Sequence, residues 1–136
     1  DIAIFGEKDY QQLCVIRSMA RDLDLPVEIL GGATVRESDG LAMSSRNTYL
    51  TNAERTLAPR LHHEITSVAT RVAKGDPIEI ACEDAANELD SAGFNAVDYV
   101  AVRDAETLEP ATGGRPMRVL AAAWLGKTRL IDNVAV

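Results

Sequence analysis

The sequence predicts an α/β fold in two parts. A βαβ unit with a parallel strand pair comes first, followed by a small α+β unit of two helices and an antiparallel sheet of about three strands. Three observations carry this prediction. Two short apolar runs flank a helical pattern within the first ~30 residues, the arrangement that places strands parallel. Two stretches of helical periodicity then follow with no strand between them, and three β-branched or apolar runs separated by glycine turns close the chain. At 136 residues and 46% hydrophobic content, the chain can bury one core.

Ile2 to Phe5 is apolar and too short for a helix, so it reads as a buried strand ended by Gly6. From Lys8 to Leu23 the positions Tyr10, Leu13, Cys14, Ile16, Met19, Ala20 and Leu23 keep helical spacing, with Asp9 favourable in the first turn. Leu25-Pro26 breaks the pattern, and Val27 to Leu30 reads as a second buried strand ending at Gly31-Gly32. Two parallel strands alone lack the neighbours and two-sided cover that such sheets need, so the chain reads as starting partway through a larger α/β domain. Ala53 to Ala73 reads as one helix on Leu57, Leu61, Ile65, Val68, Ala69 and Val72, ending at Lys74-Gly75-Asp76-Pro77. Ile78 to Ala92 is the second helix, closed by Gly93. Ala96 to Val102, Arg118 to Trp124 and Thr128 to Val134 are the strands, with turns at Gly113-Gly114 and Gly126. The expected division is residues 1–47 and 48–136, with the unit from Asn52 to Val136 folding on its own.

The net charge of −7, from 21 acidic and 14 basic residues, argues against a nucleic-acid surface, which would carry a basic stripe. No apolar run approaches a membrane span, and no signal-peptide pattern opens the sequence, so a cytoplasmic chain without membrane partners is expected. Cys14 and Cys82 lie in helical patterns and read as reduced, near-core thiols.

Two clusters carry chemistry. Met43-Ser44-Ser45-Arg46-Asn47 follows Thr34-Val35-Arg36-Glu37-Ser38 and the turn-forming Asp39-Gly40, and it combines adjacent hydroxyls with a guanidinium. Phosphate groups suit that combination of short donors, turn-freed N–H groups and a bidentate cation. Gly6-Glu7-Lys8-Asp9 ends the first strand. Both clusters follow predicted parallel strands, where open α/β sheets bind ligands. Lys8, Arg36 and Arg46 are local cations in an acidic chain, suited to a small anionic ligand. Each cluster also has a plainer reading, as a charged helix start or as turn-capping hydroxyls.

Other signals fail. Gly126-Lys127-Thr128 has Ala121 where a P-loop needs glycine, and a hairpin turn explains it better. His62-His63-Glu64 has Ser67 where a zinc protease needs its second histidine, so no metal site is assigned. No Gly-x-Ser-x-Gly elbow or histidine-based triad supports a hydrolase.

The stretches Phe5 to Leu13, Val35-Arg36, Asp39 to Ala42, Met43 to Asn47, Tyr49-Leu50, Glu54-Arg55, Ala122 to Gly126 and Arg129 to Asn133 together resemble the pantoate–β-alanine ligase family, the pantothenate synthetases. The resemblance implies a Rossmann-like nucleotidyltransferase fold, present here in part, with residues 48–136 as a C-terminal lid domain. It implies an AMP-forming ligase that makes a pantoyl adenylate from pantoate and ATP, releases pyrophosphate, and passes the acyl group to β-alanine. Gly6 and Asp9 would face the ribose, Lys8 the phosphates and Gln12 the pantoate. Val35 would meet adenine through its backbone, and Met43 to Arg46 would wrap the triphosphate in a loop resembling the superfamily's Lys-Met-Ser-Lys-Ser segment. The implied nucleotide contacts are thus Gly6, Glu7, Lys8, Asp9, Val35, Met43, Ser44, Ser45 and Arg46, with Lys8, Ser44, Ser45 and Arg46 catalytic. Mg2+ would be held mainly by ATP phosphates. Ala33 stands where many relatives have proline, and Ala42 where the loop's first lysine falls.

The family's histidine-containing nucleotide motif is missing, since the histidines here are His62 and His63. The resemblance therefore extends to the C-terminal half of the enzyme, with the fragment alone expected to be inactive and a homo-oligomer possible through its uncovered strands. The alternatives are a nucleotide-binding or lid module without chemistry, and an independently folding domain with negligible ligand affinity.

Overall fold

The computed structural model describes residues 1–136. Ile2–Gly6 (β1) and Glu28–Gly32 (β2) pair in parallel across Tyr10–Asp22 (α1), with Ile2 opposite Glu28 and Gly6 opposite Gly32. The helix begins at Tyr10 rather than Lys8 because the Asp9 carboxylate caps it, accepting the Gln12 N–H at 3.2 Å. That leaves Lys8 in the loop. Both strands form as expected, but they are not buried: Ile2 is 63% and Ile4 69% exposed. A two-stranded parallel sheet has no layer to cover its outer face.

The loop from residue 33 leads to a short 3-10 turn at Ser45–Tyr49. Asn52–Leu57 (α2), Arg60–Ala73 (α3) and Ile78–Ala92 (α4) follow, then Ala96–Asp104 (β3), Met117–Leu125 (β4) and Thr128–Ala135 (β5). The single helix expected over Ala53 to Ala73 is two, so the second unit has three helices. Pro59 has no N–H to donate and cannot continue the first helix; it stands at the N-cap of α3. α2 starts on a capping box in which Thr51 accepts from the Glu54 N–H and the Glu54 carboxylate accepts from the Thr51 N–H. Gly93 ends α4 at φ +119°, a conformation that suits glycine.

The antiparallel sheet runs β3-β4-β5, so β5 is an edge strand. Alternation along the central strand sorts its two faces. Val119, Ala121, Ala123 and Leu125 join Leu61, Ile65, Val68 and Leu89 from α3 and α4 in a core of 17 buried residues. Leu120 points to the opposite face and packs on Tyr10, Leu13 and Cys14 of α1. The small alanines on β4 let the helices approach the sheet closely. The buried stripe of α3 that meets them, Leu61, Ile65, Val68 and Val72, repeats at steps of three and four residues.

The first unit is thus docked on the sheet. The Tyr10 hydroxyl donates to the Ala105 carbonyl at 2.5 Å, and the Arg118 guanidinium lies 4.4 Å from the Tyr10 ring centroid. Cys14 is buried, Cys82 partly buried, and the two are unpaired. No helix is long and apolar enough to cross a membrane.

The first unit leaves Ile2 and Ile4 of β1, Val15 and Met19 of α1, and Leu23 and Leu25 after it exposed. Apolar surface beside an open parallel strand favours pairing with another chain. The 136-residue chain is expected to self-associate with rising concentration, and Ile4→Lys to shift it toward monomer; light scattering reads both. A monomer at every concentration would contradict this.

Candidate functional site

The site is assembled against β5. Asn133 Nδ2 donates to the Glu7 carbonyl at 2.8 Å and to the Lys8 carbonyl at 3.0 Å, while its Oδ1 accepts Arg118 Nε at 2.9 Å. Its neighbour Asp132 turns to the other face. There its carboxylate accepts Arg36 Nη1 at 2.6 Å and Nη2 at 2.9 Å, a bidentate pair with Asp132 only 3% exposed. Two adjacent residues on one edge strand therefore fix the loop after β1 and the loop after β2.

The second loop is a small hairpin. Glu37 donates to the Leu41 carbonyl at 2.8 Å, Met43 to the Val35 carbonyl at 2.9 Å, and Gly40 to the Glu37 carbonyl at 2.9 Å. Gly40 sits at φ +95°, and a Cβ there would press on the His62 ring, so glycine is required on two counts. Ser44 then caps the 3-10 turn: its Oγ accepts the Arg46 N–H at 3.2 Å. Capping uses the hydroxyl as acceptor and leaves its hydrogen free to donate outward.

Between the loops lies a cavity of about 280 Å³ whose lining includes Lys8, Asp9, Ser44, Arg46, His62 and Asp132. Burial strips water from the Lys8 ammonium and lowers its pKa below the ordinary lysine value; Asp132 opposes that shift, Arg46 adds to it and Asp9 opposes it. Such a cation gains more from an anion than a fully hydrated one does. His62 is likewise lowered, first by burial, then by Arg36 and against Asp132, with His63 adding a smaller push down. Its Nδ1 is buried without a hydrogen-bond partner, 3.6 Å from the Asp132 carboxylate. The imidazole is therefore held toward its neutral form.

Of the residues expected at the site, Lys8, Asp9, Ser44 and Arg46 line this cavity. Gly6, Glu7, Gln12, Val35, Met43 and Ser45 do not. The Glu7 carboxylate faces Arg118 at 3.5 Å. Gln12, Val35, Met43 and Ser45 are exposed nearby. One expectation is corrected: Arg36 is not a free cation for a ligand, because Asp132 holds both its nitrogens. His62 and Asp132 are additions. An Asp-Asn pair inside a strand is unusual enough to have marked Asp132, since both residues are depleted in strands. His62 sits at an unremarkable helical position and gave no such signal.

Lysine, hydroxyl and guanidinium groups from the loops that follow β1 and β2 meet on one cavity, a chemistry suited to an anion, in an α/β fold. Residues 1–135 match the family described as pantoate-beta-alanine ligase. The pantothenate synthetase of Mesorhizobium japonicum is 56% identical over 136 residues, 100% of this chain and 48% of that protein. That of Caulobacter vibrioides is 56% identical over 140 residues, 100% of this chain and 49% of that protein. The solved pantothenate synthetase from Thermus thermophilus superposes with a TM-score of 0.87 at 43% identity, covering 98% of this chain and 49% of that one. The Francisella tularensis pantoate-beta-alanine ligase, complexed with beta-gamma ATP and beta-alanine, gives 0.70 at 26% identity, covering 98% and 43%. This chain belongs to the pantoate-beta-alanine ligase family. It spans about half the length of the curated relatives it matches. The expected placement in the C-terminal half is not retained; the matches cover about half of each relative.

Removing the Asp132 carboxylate leaves the mostly buried Arg36 guanidinium without a counter-charge, with only the Gly40 and Asn133 carbonyls to accept from it. Asp132→Ala is expected to cost about 3 kcal/mol of stability in urea unfolding, whereas Asp22→Ala, on the exposed end of α1, should cost almost nothing.

Proposed function

We propose that this chain contributes the phosphate-contacting part of an ATP-dependent ligase that joins pantoate and β-alanine through a pantoyl adenylate, releasing AMP and pyrophosphate. The observation that carries the reading is the convergence of Lys8, Ser44 and Arg46 on one cavity in a member of this family. Lys8 and Arg46 face the phosphates, Ser44 donates to a phosphate oxygen, and Ser45 and Met43 complete the wrapping loop. Glu7 belongs to the same nucleotide-contacting segment. Gly6 and Asp9 meet the ribose, Val35 the adenine through its backbone, and Gln12 the pantoate. Residues 1–47 form the nucleotide-binding remnant and residues 48–136 the lid. The two free thiols suit a reducing, cytoplasmic setting.

Attack of a carboxylate on the α-phosphate concentrates negative charge on the phosphoryl oxygens and the leaving pyrophosphate. Fixed donors in a water-poor site lower that barrier by about 3 kcal/mol each. Only two carboxylates stand beside the cavity, and Asp132 is held by Arg36, so no carboxylate cluster there forms a Mg2+ cage. Mg2+ is placed on the ATP phosphates instead, and no step is derived through it.

A second reading, a nucleotide-binding or lid module without chemistry, draws on the cavity's size. About 280 Å³ suits a phosphate chain and lies below the ~300–1,000 Å³ usual for small-molecule pockets. The rest of the nucleotide then lies outside this cavity. ATP titration of the isolated chain separates this module from an independently folding domain with negligible affinity.

The isolated chain is expected to make no pantothenate from pantoate, β-alanine and ATP; turnover above a no-enzyme control in purified material would contradict this. In a full-length ligase carrying this segment, Lys8→Ala should slow adenylation by about two to three orders of magnitude with the fold intact. Single-turnover kinetics read the effect, and near-normal adenylation would refute the role given to Lys8.

A further inference from the structure

A second cavity, of about 530 Å³, adjoins the first and shares Arg46 and Arg129 with it. Its walls are Arg46 and Tyr49 from the 3-10 turn, Trp124 at the end of β4, and Lys127, Thr128 and Arg129 at the β4–β5 hairpin. Three cations on one cavity stand out in a chain of net charge −7. Lys127 and Arg46 take part in no ion pair, while Arg129 Nε donates to the Asp98 carboxylate at 2.7 Å. Trp124 Nε1 donates to the same carboxylate at 3.2 Å. Asp98 therefore holds Arg129 and the indole in place and offsets one of the three charges.

Lys127 is held by its turn. Gly126 occupies the first turn position at φ +57°, its N–H donates to Asn95 Oδ1 at 2.5 Å, and a Cβ there would collide with the Glu54 carboxylate. The turn backbone is thus held at Gly126 by Asn95, just before β3, and lies against Glu54 of α2, while the Lys127 side chain lines the cavity. A single tetrahedral anion would leave most of this volume and two of the cations unused.

We propose that this cavity is a second anion site, continuous with the first through Arg46 and Arg129, and that it takes a pyrophosphate-class anion. One phosphoryl group sits at the Arg46 and Arg129 boundary and the next reaches Lys127. The site itself stands on this geometry; its use as a holding place for released pyrophosphate rests on the ligase reading above.

Trp124 is the one tryptophan of the chain and lines this cavity, so its emission reports on it directly. Magnesium-free pyrophosphate is titrated into the 136-residue chain against sodium chloride of matched ionic strength. A saturable change in Trp124 emission is expected. Its midpoint should weaken by about fivefold in Lys127→Gln and by about tenfold or more in Lys127→Glu. Lys74→Glu, at the far end of α3, should leave it unchanged. Circular dichroism checks that the variants fold, and Lys127→Gln serves alone if the glutamate disturbs the turn. No emission change, or a midpoint insensitive to Lys127, overturns the inference. If Lys8→Ala abolishes the response while Lys127→Glu does not, the anion stays in the first cavity, which overturns the inference and leaves the ligase reading intact. If Lys127→Glu weakens the response and Lys8→Ala leaves ATP binding unchanged, the second site stands and the phosphate role of Lys8 falls.

Discussion

The side chains of Asp132 and Asn133 leave the same edge strand in opposite directions, and each secures a loop of the first unit. Asn133 satisfies the Glu7 and Lys8 carbonyls, which β1 no longer pairs once it ends at Gly6. Each such bond contributes about 0.5–1.5 kcal/mol net, and losing the donor would leave two inward carbonyls unpaired. Asp132 does the same for the second loop through Arg36. Without β5, Lys8 and Arg46 would belong to independent loops; with it, they line one cavity.

Electrostatics follows from that assembly. Docking the first loop on the sheet half-buries Lys8, and the loss of water lowers its pKa. Docking the second engages Arg36 with Asp132 and exposes Arg46. The same geometry places His62 beside two charges of opposite sign and leaves its Nδ1 unpartnered. An acidic protein thereby presents a local cationic hollow, arranged before any ligand arrives.

Much of this was legible in the sequence, for identifiable reasons. α4 falls at Ile78 to Ala92 as read, because Pro77 and Gly93 bound the apolar pattern unambiguously. The parallel pair followed from two apolar runs around one helical stretch, and Gly126-Lys127 is the hairpin turn that P-loop geometry would have excluded. The break at Pro59 was missed because apolar spacing continues across it, although the missing N–H was visible. Burial of β1 was overestimated, since apolar composition says what a strand favours and not what covers it. Arg36 and His62 show the harder limit. Whether a cation faces ligand or carboxylate depends on a partner 96 residues away, and periodicity carries no such pairing.

The central claim is that β5 organises the loop bearing Lys8. Amide hydrogen exchange in Asn133→Ala tests it most directly. Glu7 N–H donates to the Gly32 carbonyl at 2.8 Å in the intact chain, so its protection reports on that loop. The account predicts that protection at Glu7 falls sharply while the β3–β4 amides keep theirs. Unchanged protection at Glu7 in a folded Asn133→Ala chain would contradict it.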